Sequence, residues 1–326
     1  MINFKVGILG AGHIAGVVAD TLVKLDSFEP YAVASRDAEK AREFGEKYGC
    51  TKCYGSYEEL ANDPDVELIY IATPHSHHAE QALMCMKAGK PVLVEKAFSY
   101  NAESAHEVLQ YSEDNKIFCQ EAMWIRFLPM YKKLRQIIND GVIGQIVHMD
   151  LTLGYDLRGK DRIANPALGG GVLLDLGVYP LNIITMMTDA APDQTGSSCA
   201  KLSTGMDVQD VMQIHLTNGS TASIYVTAVY KPENRGIIFG TKGYIEVDNI
   251  NNPEKFSIYG ADRHLLGEAV PPENQISGYE YEFLAARNAI ITGNIQCAEI
   301  VHGETYRIMK TMDKIRETWG VKFPME

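Results

Sequence analysis

The sequence predicts an α/β chain of two domains: a doubly wound parallel sheet over residues 1–122, then an α+β domain over 123–326 on a mostly antiparallel open sheet. Three observations lead there. Up to about Glu121, short Val/Ile/Leu runs alternate with stretches of helical period, the pattern of parallel βαβ units covered on both faces. Beyond "MWIRFLP" the apolar residues begin to alternate with polar ones, as in antiparallel strands with one wet face. The length, 326 residues, also exceeds one average domain.

The N-terminal elements come in pairs. "KVGILG" leads into helix-like "IAGVVADTLVKL", "YAVAS" into "AEKAREFGEKYG", "LIYIA" into "HAEQALMCMKAG" and "PVLVE" into "ESAHEVLQYSEDN", with "IFCQEA" as the last strand. After "MWIRFLP", "MYKKLRQIINDG" is a helix and "IVHMDLTL" a strand; a glycine-rich turn then opens a second helix, "LLDLGVYPLNIITMM". Asn218-Gly219 marks a tight hairpin within "DVMQIHLTNGSTASIYVTAVYK", and "RGIIFG", "GYIEVDN" and "KFSIYG" continue that sheet. Two helical patterns, near Tyr279 and Ala298, close the chain and are expected to lie with the other helices over one sheet face.

Composition narrows the function. Hydrophobic residues at 46% and charged residues at 22% exclude disorder as the main state. A net charge of −12, without any Lys/Arg block, argues against nucleic acid or an anionic membrane surface as partner. No apolar run looks long enough to cross a bilayer, and "MINFKVGILGAG" lacks the features of a signal peptide, so a cytoplasmic protein is expected. Six scattered cysteines are too sparse for a disulfide framework, and Cys50-x-x-Cys53 has no second pair at zinc spacing.

Gly10, Gly12 and Ala15 occupy the G-x-G-x-x-G/A positions between the first strand and the first helix, with His13 and Ile14 inside the turn. The first glycine allows the turn, the second lets backbone amides approach a pyrophosphate, and the small third residue lets helix pack on strand. In a βαβ series this points to a dinucleotide and a Rossmann domain. The second strand ends in Ser35-Arg36, where NAD sites usually carry an acid for the ribose hydroxyls. Arg36 can pair a 2′-phosphate, with Ser35 adding a hydrogen bond, so NADP is favoured and NAD is the second candidate. A solvated arginine at a helix start, with Asp37 beside it, is the plain alternative.

Three later strand ends belong to the same edge of such a sheet. "IATPHSHH" ends a strand at Thr73-Pro74; crowding of His75, His77 and His78 on one turn argues against a metal and for a loop flanking the cofactor. "VLVEKAF" breaks an apolar strand with Glu95-Lys96. These project to opposite sides, so Glu95 can support while Lys96 faces a cleft and polarises or deprotonates a hydroxyl; a structural ion pair is the alternative. In "QEAMWIRF", Trp124 and Arg126 alternate and so share a side, an aromatic wall and a cation near the cleft mouth, with core packing as the alternative for Trp124. In the second domain Asp175 and Tyr179 stand at i and i+4 after Gly169-Gly170-Gly171, able to present a carboxylate and a phenol together. Arg158, Lys160 and Arg162 precede those glycines and read as solvated, with reach to substrate or cofactor as the alternative.

"GILGAGHIA", "IATPHSHHAEQ", "VLVEKAFS", "EAMWIRFLP" and "GGGVLLDLGVYPL", in that order, resemble the Gfo/Idh/MocA oxidoreductases over essentially the whole chain. Within that family the last three are most similar to the dimeric dihydrodiol dehydrogenase and NADP-dependent D-xylose dehydrogenase branch. The resemblance implies that Lys96, the lysine of an E-K-P motif, is the central catalytic residue, joined by Asp175 and Tyr179 of D-x-G-x-Y. It also implies a homodimer or homotetramer formed through the C-terminal sheet. Ala97 stands where the family has proline, and His75 where the branch often has asparagine.

The expected function is therefore an NADP-dependent dehydrogenase moving hydride between nicotinamide and a carbinol carbon of a sugar or cyclic diol. Lys96 and Tyr179 manage the proton, and Asp175 orients substrate or tunes the lysine. The expected cofactor contacts are Gly10, Gly12, His13, Ile14, Ser35, Arg36, Thr73, Pro74, His78, Glu95, Trp124 and Arg126, with no metal. The alternatives are a cofactor-binding sensor without turnover, or a reductase of an imine or conjugated double bond.

Overall fold

The computed structural model describes residues 3–326 and divides into two compact units. The first runs to Trp124 and includes Ile276–Met309; the second comprises Ile125–Gln275 and Lys310–Glu326. In the first, β1 (Phe4–Leu9), α1 (His13–Lys24), β2 (Phe28–Ala34), α2 (Ala38–Tyr48), β3 (Lys52–Tyr54), α3 (Tyr57–Ala61), β4 (Leu68–Ile71), α4 (His75–Lys87), β5 (Val92–Glu95), α5 (Ala102–Asn115) and β6 (Cys119–Ala122) follow in turn. All six strands are parallel, in the order β3-β2-β1-β4-β5-β6. Every residue of β4 and β5 is buried, which is why these strands read as unbroken apolar runs. The order turns back between β1 and β4, the switch point where such sheets open a crevice beyond their carboxyl ends.

The second unit holds α6 (Pro129–Asn139), β7 (Ile146–Gly154), α7 (Asp161–Ala164), and a π-helical turn, Leu173–Gly177, that runs into α8 (Val178–Thr188). Then come β8 (Pro192–Lys201), β9 (Asp207–Leu216), β10 (Thr221–Thr227), β11 (Gly236–Gly240), β12 (Gly243–Asp248), β13 (Lys255–Gly260) and β14 (Leu265–Ala269); the final helices are α9 (Glu280–Ile291) and α10 (His302–Trp319). The eight-stranded sheet has the order β14-β13-β12-β11-β7-β10-β9-β8 and is antiparallel except at β7–β10. Its inner face is largely apolar, with Met149 and Leu151 on β7, Ile224 and Val226 on β10, and Met212 and Ile214 on β9 all buried. The expected hairpin joins β9 to β10, with Gly219 at φ +86° and Asn218 Oδ1 accepting from Ser220 N at 3.0 Å. Pro166–Thr188 has the length and mean hydropathy (1.5) of a bilayer-crossing helix, a stretch the sequence reading passed over; 89% of its most apolar window is buried in the protein, as in a core helix.

The sequence reading gave all of 123–326 to the second domain, whereas Ile276–Met309 packs into the first unit. Phe283 of α9 is fully buried and meets the Tyr70 ring of β4 edge-on at 5.5 Å. Cys119 N at the outer edge of β6 donates to Ile295 O at 3.0 Å, and Gln120 Oε1 accepts from Cys297 N at 2.6 Å. The returning segment thus covers an edge strand that would otherwise expose unpaired backbone. Helical periodicity carries no information about which sheet a helix will cover.

Candidate functional site

The glycine turn links β1 to α1. Gly10 has φ +106°, and a Cβ there would lie 2.9 Å from Ala72 O, so the position takes only glycine. A Cβ on Gly12 would meet nothing within 4 Å: the space beside this residue is open. Gly12 caps α1 without a side-chain hydrogen bond, and the first helical turn carries no acid. Its amides and dipole therefore offer an anion-binding pole of the kind a pyrophosphate occupies, and the open side at Gly12 leaves room for one. His13 is exposed and Ile14 half-buried on this turn.

At the end of β2, Ser35 is buried and Arg36 exposed, with no ion pair of Arg36 among the described residues. Asp37 is the N-cap of α2, its carboxylate accepting from Glu39 N and Lys40 N, while Ser35 Oγ accepts from Asp37 N at 3.2 Å. The acid that follows Arg36 is thus engaged in starting a helix.

At the end of β4, Pro74 caps α4, and His75, His77 and His78 form the helix's first turn rather than the expected loop. Thr73 Oγ1 donates to Gln81 Oε1 at 2.6 Å. His78 is fully buried, its Nε2 2.7 Å from Thr73 O and its Nδ1 3.0 Å from Ala97 O. Burial first, then the neighbouring His75, holds its pKa down at about 3, although both carbonyls favour the charged form. The ring is neutral with a single N–H, and it braces the ends of β4 and β5 against each other. Among the described residues, no three His, Cys, Asp or Glu side chains gather as metal ligands.

Glu95 closes β5 with its carboxylate buried. Oε2 accepts from Lys96 N at 3.1 Å, and Oε1 accepts from the Tyr70 hydroxyl. Lys96, half-buried, follows directly, and its peptide bond to Ala97 is cis. Glu282 of α9 is fully buried, and among the described residues neither carboxyl oxygen finds a hydrogen-bond partner; burial, then the charge of Glu95, pushes its pKa well above the usual range. Sequence reading missed Tyr70 and Glu282. The available signal was an acid inside the otherwise packed pattern "YEFLAARNAI".

The shared side assigned to Trp124 and Arg126 needs correction. Trp124–Phe127 is a 3-10 turn, and strand alternation does not apply to it. Trp124, buried, stacks on Tyr279 with centroids 4.5 Å apart. Arg126 is buried in the second unit, donating from Nε to Asn182 Oδ1 at 2.6 Å and from Nη2 to Thr185 Oγ1 at 2.8 Å. It secures α8, and the cation at the cleft mouth assigned from sequence lies inside a core.

In the second unit, Asp175 lies in the π-helical turn and Tyr179 in the first turn of α8, both buried. Single π turns recur at functional positions because they re-aim side chains within a helix. Arg162, read as solvated, faces Asp175: Nη2 is 3.3 Å from Oδ2, and Nε is 3.4 Å from Oδ1. The glycines before the helix are demanded by their surroundings. A Cβ on Gly170 would lie 2.7 Å from Ile163 O, and one on Gly171, at φ +106°, only 2.2 Å from Asp207 Oδ1.

Comparison with known proteins agrees with this architecture. Residues 4–122 match the oxidoreductase family with NAD-binding Rossmann fold, and residues 131–246 match the GFO/IDH/MocA C-terminal domain. The trans-1,2-dihydrobenzene-1,2-diol dehydrogenase of Mus musculus is 31% identical over 98% of both chains. Among solved structures, an aldose-aldose oxidoreductase from Caulobacter crescentus complexed with glycerol superposes with a TM-score of 0.87 at 19% identity over 98% of both chains. A 3-ketoreductase from Actinomadura kijaniata in complex with TDP-benzene and NADP gives 0.85 at 22% identity, over 96% of this chain and 97% of that one. The family matches, the near-full-length relative and the shared fold together establish that this chain belongs to the Gfo/Idh/MocA oxidoreductase family.

Proposed function

We propose that this oxidoreductase is an NADP-dependent dehydrogenase of secondary alcohols on a cyclic diol or a sugar, with Lys96, Tyr179 and Asp175 as its catalytic residues. The observation that carries the reading is Lys96 at the carboxyl end of β5, one strand from the switch point, with its backbone N–H held by the buried Glu95 carboxylate. The nicotinamide supplies the hydride chemistry. Lys96 acidifies the substrate hydroxyl and takes or relays its proton, Tyr179 is the second proton-handling group, and Asp175 orients the substrate. Arg162, facing Asp175, aims that carboxylate.

NADP rather than NAD is supported by Arg36, exposed and without an ion pair among the described residues, next to an Asp37 occupied by its helix. Its guanidinium suits a 2′-phosphate. The substrate class is supported by the relative named as a dihydrodiol dehydrogenase. Assembly through the C-terminal sheet is supported by an aromatic ladder on its outer face, where Phe239, Tyr244 and Tyr259 follow one another with Tyr244 and Tyr259 stacked at 4.8 Å.

The test uses trans-1,2-dihydrobenzene-1,2-diol and D-xylose as substrates, with NADP⁺ and NAD⁺ in parallel. Lys96→Met is expected to lower turnover by on the order of 10³-fold or more with NADPH affinity retained. Arg36→Ala is expected to weaken NADPH roughly 10- to 100-fold and NADH far less. Wild-type-like turnover in Lys96→Met defeats the catalytic assignment, and equal losses for both cofactors in Arg36→Ala defeat the NADP preference.

A further inference from the structure

The helix carrying Asp175 and Tyr179 begins over a second acidic pair. Asp207 and Asp210 both lie on β9, and three residues apart on a regular strand they would face opposite sides of the sheet. The register opposite β8 breaks this rule: Ala200 pairs with Gln209 but Lys201 pairs with Asp207, so Val208 is an extra residue. The bulge turns Asp207 toward the inner face, which Asp210 already occupies, and both carboxyls are almost completely buried.

Asp207 Oδ2 accepts from Leu173 N at 2.7 Å, the first residue of the π-helical turn, and its Oδ1 fills the space that glycine at 171 leaves open. Among the described residues, no donor reaches either oxygen of Asp210. Burial first, then the charge of Asp207, pushes the Asp210 pKa well above the usual carboxyl range. Burial raises the Asp207 carboxyl as well, but its backbone donor at Leu173 favours the ionised form, so the proton of the pair stays on Asp210 and is given, as a hydrogen bond, to Asp207. Such an acid–carboxylate pair is satisfied internally, and the remaining acceptor capacity of Asp207 is spent on the helix start.

We propose that Asp207, backed by Asp210, is a positioning residue of this enzyme: it fixes the first turn of the helix and through it the directions of Asp175 and Tyr179. The proposal rests on the reading of those two as catalytic residues. Neither member of the acidic pair touches the reacting atoms. Their effect is on the rate of the chemical step, while cofactor binding depends on the glycine turn of the other unit.

The experiment takes the full-length protein with Asp207→Ala, Asp210→Ala and Asp210→Asn, alongside Tyr179→Phe, on the two substrates named above. Asp210→Asn replaces the O–H donor with an N–H donor; it is expected to keep turnover within about 3-fold of wild type. The two alanine variants are expected to lose roughly 10- to 100-fold in kcat with an unchanged NADPH dissociation constant, a geometric misplacement effect. Hydrogen exchange at the Leu173 amide supplies a readout independent of turnover: protection falls in both alanine variants and persists in Asp210→Asn. If an alanine variant fails to fold, the protection and turnover of Asp210→Asn against the remaining alanine variant still decide. Wild-type kcat in folded Asp207→Ala overturns the proposal, as does an Asp210→Asn enzyme as impaired as Asp210→Ala. Full turnover in Tyr179→Phe would instead remove the catalytic reading on which the proposal stands, whereas an inactive Tyr179→Phe beside a normal Asp207→Ala removes positioning alone.

Discussion

Each unit keeps a pair of buried acids beneath its candidate reactive residues, and the two pairs are assembled differently. Beneath Lys96, Glu95 belongs to the strand end itself and Glu282 is delivered by α9 from far along the chain. Beneath Asp175 and Tyr179, Asp207 and Asp210 come from one strand and are brought to one side by a bulge. In both pairs one acid holds backbone: Glu95 accepts from Lys96 N and Asp207 from Leu173 N. In both, the second acid meets no donor among the described residues and keeps its proton. The difference lies in support. Glu95 has the Tyr70 hydroxyl as an additional donor, whereas Asp207 depends on Asp210 and on the void at Gly171. A carboxylate that holds a reactive backbone can thus be stabilised by a neutral phenol or by a neutral acid.

The largest expected effect tests the packing of the second pair. Gly171→Ala drives a methyl group to 2.2 Å from Asp207 Oδ1 at a φ that disfavours L-residues. Overpacking together with backbone strain should lower stability by about 2–4 kcal/mol. Denaturant unfolding followed by circular dichroism measures it. A loss below about 0.5 kcal/mol would mean that the loop shifts easily and that the two pairs are equally loose.

The next effect separates the pairs by titration. Glu282 has a native pKa above its unfolded value. Between those values the unfolded chain releases a proton that the native state keeps, so native stability falls as pH rises. Glu282→Gln removes that dependence, and its stability advantage over wild type should grow by about 1.4 kcal/mol per pH unit above the ordinary carboxyl range. Unfolding curves for both proteins between mildly acidic and mildly alkaline pH should diverge. Parallel curves would show Glu282 to be an ordinary ionised carboxylate.

How these pairs were hidden says what a sequence can carry. The parallel sheet and the glycine turn were legible because β4 and β5 are buried at every position and Gly10 sits in a conformation that only glycine takes readily. Lys96 was singled out as an exception to an apolar pattern, and Asp175 and Tyr179 as a polar pair at i and i+4 on one helix. β8, "PDQTGSSCAK", was missed because an exposed edge strand has no buried face to impose alternation. Arg126 was misplaced because a 3-10 turn replaced the assumed strand. Glu282, Asp207 and Asp210 depend on contacts that no local pattern encodes: the docking of α9 on Tyr70, and a bulge that breaks the two-residue period.

The smallest effect sharpens the comparison most. Tyr70→Phe deletes the hydroxyl that donates to Glu95 and should cost about 1–2 kcal/mol. If the protonated Glu282 serves Glu95 as a donor, the same deletion in a Glu282→Leu background should cost about 1 kcal/mol more, a coupling typical of neighbours in one polar network. A double-mutant cycle by denaturant unfolding measures it directly. If the two losses simply add, Glu282 serves Glu95 in no way comparable to Asp210's service to Asp207, and the likeness between the pairs is confined to their burial. If they couple, both units hold their reactive backbone by the same means, a neutral acid standing behind a carboxylate, reached by two unrelated routes of folding.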